Sequence, residues 1–284
     1  MPNVYSLTAQ KQVREDSLNN GEINSLIYHD LFDYPLSFAE LVKWKAAPSV
    51  KVVQKDAQIL YKNGLFFFEG REGIVYKRAL RARDSKRKLI VAKRAARFIG
   101  FLPAIRMIAV TGSLAMSNTA PESDIDLMLV VKKGKLWTTR ALTYLILKMT
   151  GFPVRKPGDK QQEDKLCLNI WMDESDMVWK SGRNVYSAHE IGQILPLVNR
   201  ENTYEKLLSA NKWILKYWPN SVKIFRYKKN GEVGGSGILE KVLYWLQVLH
   251  MKRKITREVV TPTRALFHPQ DWGEIVLTRL RPLV

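Results

Sequence analysis

The chain has 284 residues, 46% of them hydrophobic, which is enough to bury a sizeable core and to build two domains with a third segment. Forty-six Lys and Arg against 27 Asp and Glu give a formal charge of +19, which favours polyanionic partners such as nucleic acid or nucleotides. A single cysteine, Cys167, excludes an intrachain disulfide; with no apolar run of membrane-spanning length and no apolar stretch in the first twenty residues, the expectation is a cytoplasmic protein without membrane association.

Residues 1–20 are polar and aperiodic and are expected to form a loose arm. Over residues 22–32, Ile23, Leu26, Ile27, Leu31 and Phe32 follow helical spacing, until Asp33-Tyr-Pro-Leu-Ser37 breaks it. Ser37 can cap a second helix with Phe38, Leu41, Val42 and Trp44 on its apolar face. Val52, Val53, Ile59 and Leu60 suggest a third helix, stopped at Asn63-Gly64, and residues 65–76 suggest a hairpin turning at Gly70 to Gly73. Three helices and a hairpin over residues 21–78 resemble a winged-helix module. In such a module the third helix, with Lys51, Gln54, Lys55, Gln58 and Lys62, would face DNA; equally, the module could serve only to pack on its neighbour.

Residues 79–104 predict a basic connecting helix; from Lys77 to Arg106 the stretch is dense in Lys and Arg, with Asp84 its sole acid. That cationic face, residues 77–106, together with the winged-helix-like module, makes nucleic acid a plausible partner. Next come a strand over 105–110, the Gly112-Ser113 turn, a strand over 124–131, a helix over 136–150 and a strand over 166–172, forming a core over residues 105–182. Helices over 184–195 and 204–217 fill an extension over 183–222. A basic and glycine-rich linker over 223–237 lacks the Gly-Lys-Ser/Thr of a phosphate loop, and a helix over 238–251 opens a C-terminal region running to residue 284. The fold class expected is α/β (α+β), a small mixed sheet with flanking helices, a winged-helix-like domain before it and a helical region after it.

The chemistry concentrates at the start of the strand that carries Leu127 to Val131. Two acids there, Asp124 and Asp126, would be costly on an otherwise apolar strand unless paired. Residues i and i+2 of a strand point to the same side, so the two carboxylates converge, and a hard divalent cation is the simplest partner. Val110-Thr-Gly-Ser113, ten intervening residues and Asp124-Ile-Asp-Leu127 together resemble the signature of nucleotidyltransferases of the DNA polymerase β superfamily. The resemblance implies transfer of a nucleoside monophosphate from a nucleoside triphosphate to an acceptor hydroxyl. Asp124 and Asp126 would hold two Mg²⁺ ions, or Mn²⁺, and Gly112 and Ser113 would bind the triphosphate.

The family's third carboxylate, on a later strand, is matched here by Asn169, which can bind nucleotide or metal but cannot accept a proton. Asp173 shares its strand parity and is the alternative metal ligand. Ser117 stands where minimal members of the family carry glycine. These departures keep a second expectation open, a nucleic-acid-binding or regulatory protein whose nucleotidyltransferase domain is catalytically impaired. His29, His189, His250 and His268 are scattered and expected to be structural or exposed, and His189-Glu190 lacks the second histidine of a zinc-protease helix.

Overall fold

A computed structural model describes residues 11–12, 18–52, 57–156, 158–180, 182–225, 235–251, 259–267 and 272–280. The first module contains β1 (Lys11–Gln12), α1 (Asn20–Asp30), β2 (Leu36–Ser37), α2 (Phe38–Lys43), β3 (Ile59–Lys62) and β4 (Leu65–Phe68). Both helices start on capping boxes, Asn19 with Glu22 and Ser37 with Glu40, which satisfy the orphan amides of the first turn. The four strands lie in the order β1-β3-β4-β2, and β3 and β4 form a hairpin around Asn63-Gly64, both at positive φ.

That hairpin corrects the expected winged-helix layout. Asn-Gly between two apolar runs is the strongest short hairpin signal, and at positions 63–64 it joins two strands rather than ending a helix. Ile59 and Leu60 are therefore strand residues, Lys62 ends β3, and Ile74, Val75 and Tyr76 belong to the following helix. Residues 53–56, the middle of the expected third helix with Gln54 and Lys55, lie outside the described residues.

The connecting helix, α3 (Gly73–Ile99), starts earlier than expected and is about 40 Å long at 1.5 Å per residue. Its N-terminal half holds the first module: Arg78 donates to Glu40 Oε1 at 2.8 Å and to the Pro35 carbonyl, and Arg81 donates to the Phe32 carbonyl at 3.1 Å. Its C-terminal half, through Ala92, Ala95, Ala96 and Ile99, packs into the core of the second sheet.

That second sheet has six strands in the order β8-β5-β6-β7-β10-β9. They come from β5 (Ile105–Val110), β6 (Ile125–Val131), β7 (Leu166–Asp173), β8 (Leu195–Asn199), β9 (Val259–Thr261) and β10 (Arg264–Leu266). Among the described strands of this sheet, β6 and β7 are the pair that runs parallel, joined by the crossover helix α5 (Leu136–Met149). Alternation divides the strand residues between two faces. Met107, Ala109, Met128, Val130 and Met172 pack toward α6 (Val185–Gly192), α7 (Thr203–Ala210) and α9 (Trp272–Leu280). Ile108, Val110, Leu127, Leu129 and Trp171 pack toward α3, α5 and α8 (Ile238–Met251).

The mixed α/β class is as expected, but the region after residue 182 is not purely helical. The expected helix over 184–195 ends at Gly192 and Leu195 begins β8; Pro196 is tolerated there because β8 is an edge strand. The expected helix over 204–217 divides into α7 and a 3-10 turn, Lys212–Lys216. The tail contributes β9, β10 and α9, so the sheet draws strands from the segments expected to be extension and tail. No side chain of α5 caps its own N-terminus. Glu240 of α8 does so instead, accepting from Trp137 N at 2.6 Å, Thr138 N at 2.9 Å and Thr138 Oγ1 at 2.6 Å. Among the described residues, no helix is long and apolar enough to cross a membrane.

Candidate metal and nucleotide site

β5 delivers the chain to Gly112, the first residue of the one-turn helix α4 (Gly112–Ala115). Gly112 has φ +61°, and a Cβ built there would stand 2.8 Å from Asp126 Oδ2, so both conformation and close approach demand glycine. The exposed Ser113 follows, its carbonyl accepting from Met116 N at 3.2 Å and Asn118 N at 2.9 Å. Ser117, at φ +55°, adopts the left-handed conformation that a glycine would suit.

The segment from Asn118 to Ser123 is pinned by α3. Arg81 Nη1 donates to Asn118 Oδ1 at 3.2 Å, and Thr119 N donates to Ser85 Oγ at 3.2 Å. Lys88, fully buried, donates to the carbonyls of Pro121 and Ser123 at 2.7 Å each and to Asp164 Oδ1 at 2.8 Å. A lysine ammonium carries three donors and Lys88 has three acceptors, so the charge is fully engaged. Several cations expected to form a phosphate-binding face thus have internal partners; Arg83, Lys86, Lys93, Arg94 and Arg97 remain exposed.

Asp124 and Asp126 converge as the strand parity requires. Asp124 Oδ2 accepts from Arg155 Nη1 at 2.7 Å, and Asp126 Oδ1 accepts from Asn169 Nδ2 at 2.7 Å. β7 brings Asn169 there through an extra residue: between the pairs Asp126–Cys167 and Met128–Ile170, β7 advances three positions while β6 advances two. This bulge turns Asn169 and the adjacent Ile170 toward the same side of the sheet, where both line one cavity. Asn169 Oδ1 is buried and has no hydrogen-bond partner. One ligand atom each from Asp124, Asp126 and Cys167 lies within 4.8 Å of the others, so the cluster could hold a metal ion.

Burial, with Asp124 alongside, raises the Asp126 carboxyl well above the usual carboxylate range, against the pull of the Arg155 guanidinium. Burial and the two aspartates push the Cys167 thiol up, against the Arg155 guanidinium beside it. Beside the thiol, the cluster offers oxygen from the two carboxylates and from the unpartnered Asn169 amide.

The cluster opens onto a cavity of about 940 Å³. Gly112, Ser113, Asp124, Asp126, Arg155 and Asn169 line it from the sheet side, and Tyr28, Tyr186, His189 and Glu190 line it from α1 and α6. Arg155 and Glu190 escaped the sequence reading. Arg155 lies in an aperiodic stretch, and no motif marks Glu190, although Gln193 follows it by three residues at the end of α6. The Gln193 side-chain amide donates to both the Glu190 carboxylate, at 2.7 Å, and the Gly112 carbonyl, at 3.2 Å. Burial, with Asp126 facing it, raises Glu190 to about 7.

Two histidines distant in sequence also meet at this wall. His29 Nδ1 donates to the Ser25 carbonyl at 2.8 Å, so its Nε2 accepts from His189 Nε2 at 3.0 Å. That bond ties α1 to α6, and His189 also stacks on Trp44, at the end of α2, with ring centroids 3.9 Å apart. Burial holds His29 down at about 4, and burial together with His29 holds His189 well below its ordinary value.

Asp173 is not part of the cluster. It pairs with Val131 at the opposite end of the strands, five residues and roughly 16 Å from Asp126 at 3.3 Å per residue. Its carboxylate accepts from Gly134 N at 2.6 Å, Ser175 N at 2.7 Å and Ser175 Oγ at 2.6 Å, fastening two turns. Both parity and distance exclude Asp173: past the bulge it shares the Trp171 and Val131 face of the sheet, opposite the face that carries Asp126 and Ile170. Compared with family models, with curated proteins and with solved structures, the chain finds no match in any of the three.

Proposed function

We propose that the protein is a Mg²⁺-dependent nucleotidyltransferase, moving a nucleoside monophosphate from a nucleoside triphosphate to an acceptor hydroxyl. The observation that carries this reading is the convergence of Gly112, Ser113, Asp124, Asp126 and the unpartnered Asn169 oxygen on one cavity wall. Asp124, Asp126 and Asn169 would hold the metal, which when bound supplies charge neutralisation for the triphosphate and a lowered pKa for the attacking hydroxyl. Two ions, as the resemblance implies, would share the same carboxylates, and Mn²⁺ would serve in place of Mg²⁺.

The chain's own groups have distinct tasks. The Gly112 backbone allows phosphate oxygens to approach the turn, and the exposed Ser113 offers a hydroxyl and an amide to them. Arg155, now on Asp124, can follow the charge to the triphosphate once that carboxylate is neutralised by a cation. The cavity, lined on the far wall by Tyr28, Trp179 and Tyr186, shields the reacting groups from water and offers aromatic surface to a base or an acceptor ring.

Incubation of the protein with α-³²P-labelled nucleoside triphosphates and Mg²⁺ or Mn²⁺ tests the proposal, with bulk tRNA, other RNA, protein and polyols as acceptors. Transfer that disappears in Asp124→Ala and Asp126→Ala is expected; no transfer to any acceptor, or transfer unchanged in both variants, overturns it. A second reading, binding without turnover, rests on Asn169 in place of a carboxylate and on the exposed Arg83, Lys86, Lys93, Arg94 and Arg97 of α3. It requires salt-dependent RNA or DNA binding by a protein that transfers nothing.

A further inference from the structure

We propose that Glu190 is the general base of this site, taking the acceptor's proton from the wall opposite the strand position that Asn169 holds. The inference rests on the nucleotidyl-transfer reading and names a residue for the one task that reading leaves unassigned. Asp124 and Asp126 are engaged as metal ligands, Asn169 cannot accept a proton, and Asp173 is at the other end of the sheet.

Glu190 satisfies the geometric demands. It lines the same cavity as the two aspartates, but from α6, so an acceptor lying between the walls would have the metal ligands on one side and Glu190 on the other. Its position is fixed relative to the triphosphate turn, because the Gln193 amide spans Glu190 Oε1 and the Gly112 carbonyl, and Gln193 is itself buried. Among the described residues Glu190 has no ion pair, which is unusual for a carboxylate in this setting: packing alone would be served better by glutamine or leucine. The groups around it are Asp126 from β6, Tyr28 and His29 from α1, and His189 and Gln193 from its own helix. Neither Tyr28 nor the two histidines form an ion pair with Glu190, so its carboxylate is left to the cavity and to the Gln193 amide.

The step balances. The acceptor O–H proton passes to Glu190, the acceptor oxygen forms a bond to the α-phosphorus, and the bond from that phosphorus to the oxygen bridging to the β-phosphorus breaks. The electron pair leaves with pyrophosphate, and nothing is oxidised or reduced. Water in the acceptor's place would give nucleoside monophosphate and pyrophosphate by the same route.

The test uses the full chain with Mn²⁺ and ATP, with water and then glycerol as acceptor, following pyrophosphate release. Glu190→Gln preserves the carbonyl that accepts from Gln193 and is expected to lower the rate about 100-fold or more. Binding of a non-hydrolysable ATP analogue should change less than threefold. Glu190→Asp should recover part of the rate, and Asn169→Asp in the Glu190→Gln background should recover part by returning a carboxylate to β7. Wild-type turnover that survives Glu190→Gln, or loss of analogue binding in that variant, overturns the base assignment alone. Absence of pyrophosphate release by the wild type with every acceptor overturns the nucleotidyl-transfer reading and the base assignment with it.

Discussion

Replacing Asp126 by asparagine should destroy metal binding and stabilise the protein at the same time. Asp126 is held close to Asp124 and faces Glu190, and burial raises its carboxyl from 3.8 to about 7. A carboxyl whose folded pKa lies above its unfolded value binds more protons in the native state. Its contribution to stability is therefore full below about pH 4 and falls as pH rises through 7. At ~1.4 kcal/mol per pH unit, a rise of about three units sets a ceiling of roughly 4 kcal/mol, and Asp124 and Glu190 share the strain, so about 2–4 kcal/mol is expected.

Asparagine removes the charge while its carbonyl still accepts from Asn169 Nδ2, so the variant should melt about 5–10 °C above wild type at pH 8 in EDTA. Near pH 4 the two should melt together. Thermal unfolding by circular dichroism at pH 4, 6 and 8 measures the difference, with and without Mg²⁺. Saturating Mg²⁺ should close the gap at pH 8 by raising the wild type alone, because only the native wild-type site binds it. An Asp126→Asn protein no more stable than wild type at pH 8 in EDTA would refute the picture of a destabilised acid pair awaiting a cation.

Gly112→Ala should cost about 1–2 kcal/mol for the left-handed backbone and should displace Asp126, whose Oδ2 lies 2.8 Å from the new Cβ. Loss of Mn²⁺ binding, measured by electron paramagnetic resonance, should accompany a modest drop in melting temperature. Lys88→Met leaves Asp164 and two carbonyls without their buried partner and should destabilise by about 3–5 kcal/mol, read from the urea midpoint. Acidification should weaken the joint between α1 and α6. His29 titrates at about 4 in the fold, so its contribution is complete above 6.5 and is lost as pH falls toward 4, a loss of up to ~3 kcal/mol. His29→Gln should shrink the difference between urea midpoints at pH 7 and pH 5.

The elements that the sequence displays best are those whose own residues decide them. β5, β6 and β7 are largely apolar runs buried on both faces, and α5 has a helical apolar stripe, so their boundaries fall within a residue or two of expectation. Gly112, Asp124 and Asp126 were legible because turn geometry and strand parity are local properties. What escaped depends on partners distant in the chain. β8, β9 and β10 are three to five residues long and become strands by pairing with a sheet laid down elsewhere. Asn169 is legible as a residue of β7, but the bulge that aims it at Asp126 is invisible without the register of β6. Glu190 and Arg155 reach the acids only through tertiary packing, and nothing in their neighbours in sequence announces it.

The cap that Glu240 places on α5 bears on how the chain is made. The crossover helix that sets β6 and β7 parallel has its first turn completed by a carboxylate about a hundred residues downstream. During synthesis the N-terminal end of α5 therefore frays until α8 has emerged, and the sheet lacks its β10–β9 edge until later still. A chain cut before residue 238 would forfeit more than a peripheral helix: it would weaken the connection that holds Asp126 and Asn169 in register.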